Sequence, residues 1–184
     1  AVTASSVAST AVAANITVVL KDSATNTVST GFLTASISGP GTVGIVASRT
    51  DVLGATGTNN VYGKNVTGAT TANRIVNVYS DGTAGVATVT ISAGTTVLAT
   101  ETVTFYGTTT VFAQTSSKTN IGVTETGTVT VTAKDAAGNA SAVGTIYAVS
   151  ADTTKATVAV SGAVVTVTGV AAGATTVTIC DTAA

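Results

Sequence analysis

The chain alternates with a period of two almost everywhere. In Val129-Thr130-Val131-Thr132, Val165-Thr166-Val167-Thr168 and Val177-Thr178-Ile179, apolar residues are separated by threonine. Such alternation puts one set of side chains on each face of an extended strand and makes no continuous stripe on a helix. Val, Ile and Thr are β-branched, stiff at χ1 in a helix and well suited to a pleated surface. Gly39-Pro40-Gly41, Asp81-Gly82, Gly138-Asn139 and Ser161-Gly162 lie between the runs and supply the positive-φ positions that turns need. No window of useful length is amphipathic at helical spacing. The expected fold class is all-β, with turns at the spacing of a sandwich or barrel.

One stretch occurs twice. Ile16-Thr17-Val18-Val19-Leu20-Lys21-Asp22-Ser23-Ala24-Thr25-Asn26 aligns with Val129-Thr130-Val131-Thr132-Ala133-Lys134-Asp135-Ala136-Ala137-Gly138-Asn139. In both, alternating apolar positions precede a Lys-Asp-x-Ala-x-Asn turn. Thr102-Val103-Thr104-Phe105 also resembles Thr176-Val177-Thr178-Ile179. Two copies of one β unit follow, and 184 residues suffice for two domains of immunoglobulin size. The expected domains are 1–108 and 109–184, with the boundary near Gly107 to Thr110. The first carries an insertion around 40–73, rich in glycine and containing Asn59, Asn60 and Asn65. Val43 to Val46 and Val61-Tyr62 are candidate short strands within it. Stretches of this length inside compact domains are often functional, which makes Val61, Tyr62 and Asn65 the assembly candidates.

Charge decides which functions are excluded. Only 8% of residues are charged, with Lys+Arg 7 and Asp+Glu 8, against about 25% in ordinary soluble domains. The cations Lys21, Arg49, Lys64, Arg74, Lys118, Lys134 and Lys155 are scattered and form no patch able to neutralise several phosphates. Nucleic acid and a polybasic membrane anchor are both disfavoured. The stretch between Lys155 and Asp181 has no charge, but Gly162, Gly169 and Gly173 interrupt it and its apolar residues alternate with Thr and Ser. It reads as three short strands and not as a membrane span. An exterior this neutral leaves β edges without the charges that keep sheets apart. Identical subunits are therefore the expected partners, with a cell-surface glycan as a further candidate.

Catalytic chemistry finds few residues to use. With no histidine, Ser-His-Asp and Cys-His catalysis and imidazole metal sites are excluded. Cys180 is the only cysteine, so no disulfide forms within the chain. No P-loop or GxGxxG opening a helix occurs. No catalytic residue and no cofactor is assigned, and the chain is not read as an enzyme. Asp22, Asp135 and Asp152 in turns are the calcium candidates, since hard cations take carboxylates and carbonyls there. The simpler role for Asp22 and Asp135 is to cap their own turns. Asn15-Ile16-Thr17, Asn65-Val66-Thr67 and Asn139-Ala140-Ser141 are sequons, which makes Asn65, Asn15 and Asn139 glycosylation candidates, although a Thr-rich chain yields chance matches. A small-residue start at Ala1, without a charged or apolar leader, is what signal-peptide cleavage leaves behind.

Several of these motifs carry a family resemblance. They are Val129 to Asn139, then Tyr147-Ala148-Val149-Ser150-Ala151-Asp152-Thr153-Thr154-Lys155-Ala156-Thr157-Val158, then Val167 to Ile179, with Ile16 to Asn26 and Asp81 to Thr90 in the first half. Together they resemble the bacterial immunoglobulin-like repeats of the invasin type, found in cell-surface, surface-layer and extracellular filament proteins. The tryptophan of many such modules is absent here. The resemblance implies two tandem immunoglobulin-like β-sandwich domains without catalytic residues, located extracellularly or at the cell surface. Taken with the neutral exterior, it implies a structural protein that self-assembles into a surface layer, sheath or filament through uncharged β-domain faces. The alternative is an adhesin stalk or a phage virion (tail or capsid decoration) binding module.

Overall fold

A computed structural model of the chain describes residues 1–28, 31–57, 60–70 and 74–181; Asn59 and residues 58 and 71–73 of the stretch 40–73 lie outside the described residues. Every regular element among the described residues is a β-strand. The chain divides into two compact units, Ala1–Gly107 and Thr108–Ala184.

The first unit holds β1 (Val2–Ser5), β2 (Ala14–Val18), β3 (Gly31–Ser38), β4 (Thr42–Val46), β5 (Val61–Gly63), β6 (Asn65–Thr70), β7 (Arg74–Tyr79), β8 (Gly85–Ala93) and β9 (Thr96–Tyr106). They form two sheets, in the orders β1-β9-β8-β3-β6 and β2-β7-β4-β5. Alternation decides what each sheet buries. Leu33, Ala35 and Ile37 on β3, Ala87, Val89 and Ile91 on β8, and Val103 and Phe105 on β9 point into one core. Val43 and Ile45 on β4 with Val76 and Val78 on β7 meet them from the facing sheet. Each fully buried Val, Leu, Ile or Phe contributes about 1.5–3 kcal/mol. The turn between β3 and β4 needs its glycines: Gly41 has φ 86°, and a Cβ there would stand 2.8 Å from the Phe105 ring.

The second unit holds β10 (Thr109–Ser116), β11 (Thr126–Asp135), β12 (Ala140–Ser141), β13 (Tyr147–Ser150), β14 (Ala156–Ser161), β15 (Val164–Gly169) and β16 (Val177–Cys180). One sheet runs β10-β11-β15-β14, with β12 on the side of β11, and the other is the pair β13-β16. Val131, Ile146, Ala156, Val165 and Val167 form the core, with Ala148, Val177 and Ile179 packed on it from the smaller sheet. This core is thin. Of the twelve largest fully buried side chains described, only Val165 belongs to the second unit.

The units repeat one plan. β2-β7-β4 and β11-β15-β14 are the same antiparallel triplet, and β3-β8 matches β13-β16. The extra material of the first unit is narrower than the stretch 40–73. β4 holds the place of β14 in the triplet, so within that stretch only the loop after β4 and the strands β5 and β6 are without a counterpart among the described residues. A second difference concerns the chain's last strand. The sequence similarity of Thr102–Phe105 to Thr176–Ile179 pairs β16 with β9, whereas the strand order pairs it with β8. The local sequence agrees with the strand order: Ala84–Ile91 and Ala172–Ile179 are identical at six of eight positions.

Candidate functional site

The outer face of the five-stranded sheet is the first site. Side chains directly opposite one another on paired strands share a face. Register therefore builds a row Thr102–Thr88–Ser38 across β9, β8 and β3, and beside it Thr100–Thr90–Ser36–Asn65, which continues to β6. The next row is Ser92–Thr34–Thr67, in which the Thr34 and Thr67 hydroxyls lie 2.9 Å apart. Thr3–Thr104–Val86 closes the other end. None of these residues is charged. Val86 at one end of this face and Phe32 at the other are 57% and 68% exposed. The four-stranded sheet of the second unit repeats the chemistry, with the row Thr126–Thr168–Thr157 and the row Thr128–Thr166–Ala159 on its outer face.

The second site is an open groove of about 660 Å³ in the second unit, between β10 and β16. Phe112, Val131, Ile146, Ile179 and Cys180 line it, and Asp181 is its one acidic residue. Phe112 pairs with Ala133 on the inward side of β10, yet is 48% exposed because nothing described covers it. A smaller recess of about 330 Å³ in the first unit lies between β1 and β2 and carries Arg49 and Glu101. There the Arg49 guanidinium donates to Asn15 Oδ1 and Thr17 Oγ1 across β2.

The calcium candidates sit in self-contained turns. Asp22 Oδ1 accepts the backbone N–H of Ala24 at 2.9 Å and of Asn26 at 2.9 Å, while Oδ2 accepts Asn26 Nδ2 at 3.2 Å. Asp135 repeats the arrangement with Ala137, Asn139 and Asn139 Nδ2 at 3.0, 2.8 and 3.2 Å. Asp152 Oδ1 accepts the N–H and hydroxyl of Thr154 at 2.9 and 2.6 Å. These bonds favour the ionised form. The Asn26 backbone, then its side chain, holds Asp22 below the usual carboxylate range, and the Thr154 hydroxyl and N–H do the same for Asp152. Among the described residues no group of three or more His, Cys, Asp or Glu gathers to hold a metal.

The remaining candidates fall in different settings. Asn65 is exposed at the start of β6, Asn15 is exposed on β2 under Arg49, and Asn139 is half-buried with its amide bonded to Asp135. Val61 packs half-buried against the core. The Tyr62 ring meets Tyr79 edge-on with centroids 5.8 Å apart, and its hydroxyl donates to Val52 O at 3.3 Å and Ala55 O at 3.4 Å. Tyr62 therefore spends its contacts inside the unit.

Asn77 is the residue that alternation missed. It is fully buried on β7, and its Nδ2 donates to the carbonyls of Ser48, Arg49 and Asp51 at 3.2, 3.4 and 3.2 Å. Tyr79 Oη adds a 2.7 Å bond to Asp51 O. Burial pushes the Tyr79 phenol up to about 12. Together these side chains clamp the loop after β4. The signal in the sequence is a lone amide within the apolar run Ile75-Val76-Asn77-Val78-Tyr79.

No protein-family model and no curated protein matches the chain. Among solved structures it is similar to invasin, a bacterial integrin-binding protein, at 15% identity over 96% of this chain and 34% of that one, with a TM-score of 0.40. It is similar to FdeC, an Escherichia coli adhesin, at 21% identity over 94% of this chain and 55% of that one, TM-score 0.37. Domains 5–6 of the S-layer protein SbsC share 20% identity over 95% of this chain and 86% of that one, TM-score 0.33. The chain thus spans about a third of the invasin chain and about half of the adhesin chain. Bacterial surface proteins with immunoglobulin-like domains, the resemblance carried by the sequence motifs, recur here. Scores this low transfer no role, and the sandwich architecture stands on the strand pairing above. No helix of the described residues is long and apolar enough to cross a membrane.

Proposed function

We propose that the chain is a non-enzymatic, extracellular structural protein that self-assembles through its uncharged β faces into a surface layer, sheath or filament. The observation that carries this reading is the outer face of β1-β9-β8-β3-β6, where four rows of Thr, Ser, Asn and Val run without a charge. A sheet face exposed to water is ordinarily studded with charges that repel another sheet. Here a second copy is met by hydroxyls that pair as donor and acceptor and by the apolar bodies of Val86 and Phe32. A stable contact needs about 800 Å² from each partner, which a five-stranded face can supply. The reading calls on no cofactor, and a location outside the cell, with a surface glycan as a further contact, belongs to the same proposal.

The test is light scattering with negative-stain microscopy of the wild type and of a Thr88→Lys/Thr102→Lys double variant. Both positions are exposed and directly opposite one another on paired strands, where two like charges repel, so circular dichroism first establishes that the variant is folded. Ordered assemblies of the wild type that the double variant fails to form support the reading. Equal assembly of the two overturns the assignment of this face.

A further inference from the structure

One strand edge distinguishes the two units. In the first, β5 pairs with the outer side of β4 through Val43↔Gly63, Gly44↔Tyr62 and Ile45↔Val61. β14 stands in the place of β4, and on its side away from β15 no strand is paired among the described residues. The difference arises inside the chain. The residues after β4 lead to β5, whereas Gly162 and Ala163 alone join β14 to β15. Edge strands are ordinarily guarded by charge, proline or a bulge. Arg49 lies across β2, and a register shift at Thr109/Val111 interrupts β10. β14, Ala156-Thr157-Val158-Ala159-Val160-Ser161, has no charge and no proline, and its ladder with β15 runs without a shift.

We propose that β14 pairs antiparallel with β14 of a second copy of this chain, centred on Val158, so that two four-stranded sheets become one. The phase of the hydrogen bonds allows it. Gly169 donates its N–H to Glu125 O at 3.0 Å and accepts from Thr124 N at 2.8 Å, both away from β14. Ala156↔Gly169 is therefore a non-bonded pair, and bonded pairs alternate with these along an antiparallel ladder. Thr157, Ala159 and Ser161 thus bond to β15, while Val158 and Val160 turn N–H and C=O to the open side. Setting Val158 against Val158 of the second copy, and Val160 against its Ala156, satisfies those groups in both chains. Residues directly opposite share a face. Val158, packed on the core side, meets its own copy, and on the outer face Thr157 meets Ala159. The rows Thr126–Thr168–Thr157 and Thr128–Thr166–Ala159 then join across the contact without a charge. Lys155 falls opposite Ser161 of the second copy, which keeps the two ammonium groups at opposite ends. This match of the strand to itself is what selects a second copy as the occupant. The inference rests on the self-association proposed above and assigns it a further surface.

The experiment uses the whole chain with Cys180→Ser, into which Thr157→Cys and Ala159→Cys are placed separately. Both positions are exposed on the outer face, so neither change enters the core. In the proposed register residue 157 of one copy and 159 of the other form a non-bonded pair with Cα atoms about 4.5 Å apart, within disulfide reach. In either variant alone the two thiols are diagonal, about 7–8 Å apart and out of reach. Mild oxidation should therefore cross-link an equal mixture of the two variants and leave each variant alone uncross-linked. Val160→Pro in both chains removes an N–H that faces the open edge and spares the bonds to β15, a place where proline is tolerated. It should slow the cross-link by about tenfold or more while circular dichroism stays unchanged. No cross-link in the mixture, cross-linking of Ala159→Cys alone at the rate of the mixture, or an undiminished rate with Val160→Pro in folded protein overturns the proposal. Sedimentation of the Thr88→Lys/Thr102→Lys variant reads the outer face of the first unit separately, so either surface can fail and leave the other standing.

Discussion

Thr25 occupies, in the first Lys-Asp turn, the left-handed position that Gly138 occupies in the second. The two turns are otherwise superposable bond for bond, from the Asp22 and Asp135 carboxylates to the Thr25 N–H and Gly138 N–H on the carbonyls of those aspartates at 3.0 Å each. Their φ angles are 68° and 83°. A β-branched residue in this region is strained by about 1–2 kcal/mol, whereas glycine enters it freely at the expense of unfolded-chain entropy. Thr25→Gly should therefore stabilise the first unit by about 0.5–1 kcal/mol, and Gly138→Thr should destabilise the second by about 1–2 kcal/mol. Urea denaturation of the two variants reads both signs.

Asp135 is 4% exposed, whereas Asp22 is exposed to solvent. Removing the buried carboxylate leaves the Ala137 and Asn139 N–H groups without their acceptor in a site water reaches poorly. Asp135→Ala should cost about 1–3 kcal/mol, and Asp22→Ala distinctly less. Equal losses on chemical denaturation would contradict the role given to burial.

Asn77 clamps the loop after β4 by donating to three carbonyls. Asn77→Ala should lower stability by about 1–3 kcal/mol. Asn77→Asp should lower it further, because a carboxylate cannot donate and faces three carbonyl oxygens. Limited proteolysis should open the segment 47–57 in both variants before any strand is cut.

Acid should unfold the protein, and the sign follows from the carboxylates. Asp22, Asp152 and Glu125 are held below their ordinary values of 3.8, 3.8 and 4.5 by, respectively, the Asn26 backbone and side chain, the Thr154 hydroxyl and N–H, and the Lys118 ammonium with the Gly122 N–H. Burial pushes Asp81 up, but hydrogen bonds from the Gly41 and Thr83 backbone and from Lys64 outweigh it. A carboxyl depressed on folding stabilises the fold above its unfolded pKa, and that gain is lost as pH falls through the folded value. With no histidine, the melting midpoint should be nearly flat from about pH 5.5 to 8 and fall below about pH 4.5. A midpoint that rises on acidification would contradict these assignments.

Much of the architecture could be read from the residues. Period-two runs locate β11, β15 and β16, and the repeated Lys-Asp turn comes after Val19 and Leu20 beyond β2 and begins with the last two residues of β11. The same degeneracy hid the rest. Thr102-Val103-Thr104-Phe105 and Thr88-Val89-Thr90-Ile91 both satisfy one alternation, so pattern alone cannot say which of them Thr176–Ile179 replaces. Pairing partners decide it, and these are set by contacts far apart in the chain. Tyr62 illustrates a second limit. An aromatic in a glycine-rich stretch reads as a contact for a neighbour, but the edge-on packing against Tyr79 depends on space above Gly44, where a Cβ would stand 2.5 Å from the Tyr62 ring. Asn77 illustrates a third, since a lone amide in a strand names no partner until the loop that it clamps is placed.

Association through faces that carry no charge is read by sedimentation velocity of the wild-type chain over a concentration series. An uncharged contact is barely screened by salt, so growth beyond the monomer should rise with concentration and be the same at about 0.05 M and about 0.5 M NaCl. A single monomer boundary at every concentration and both salt levels would contradict it.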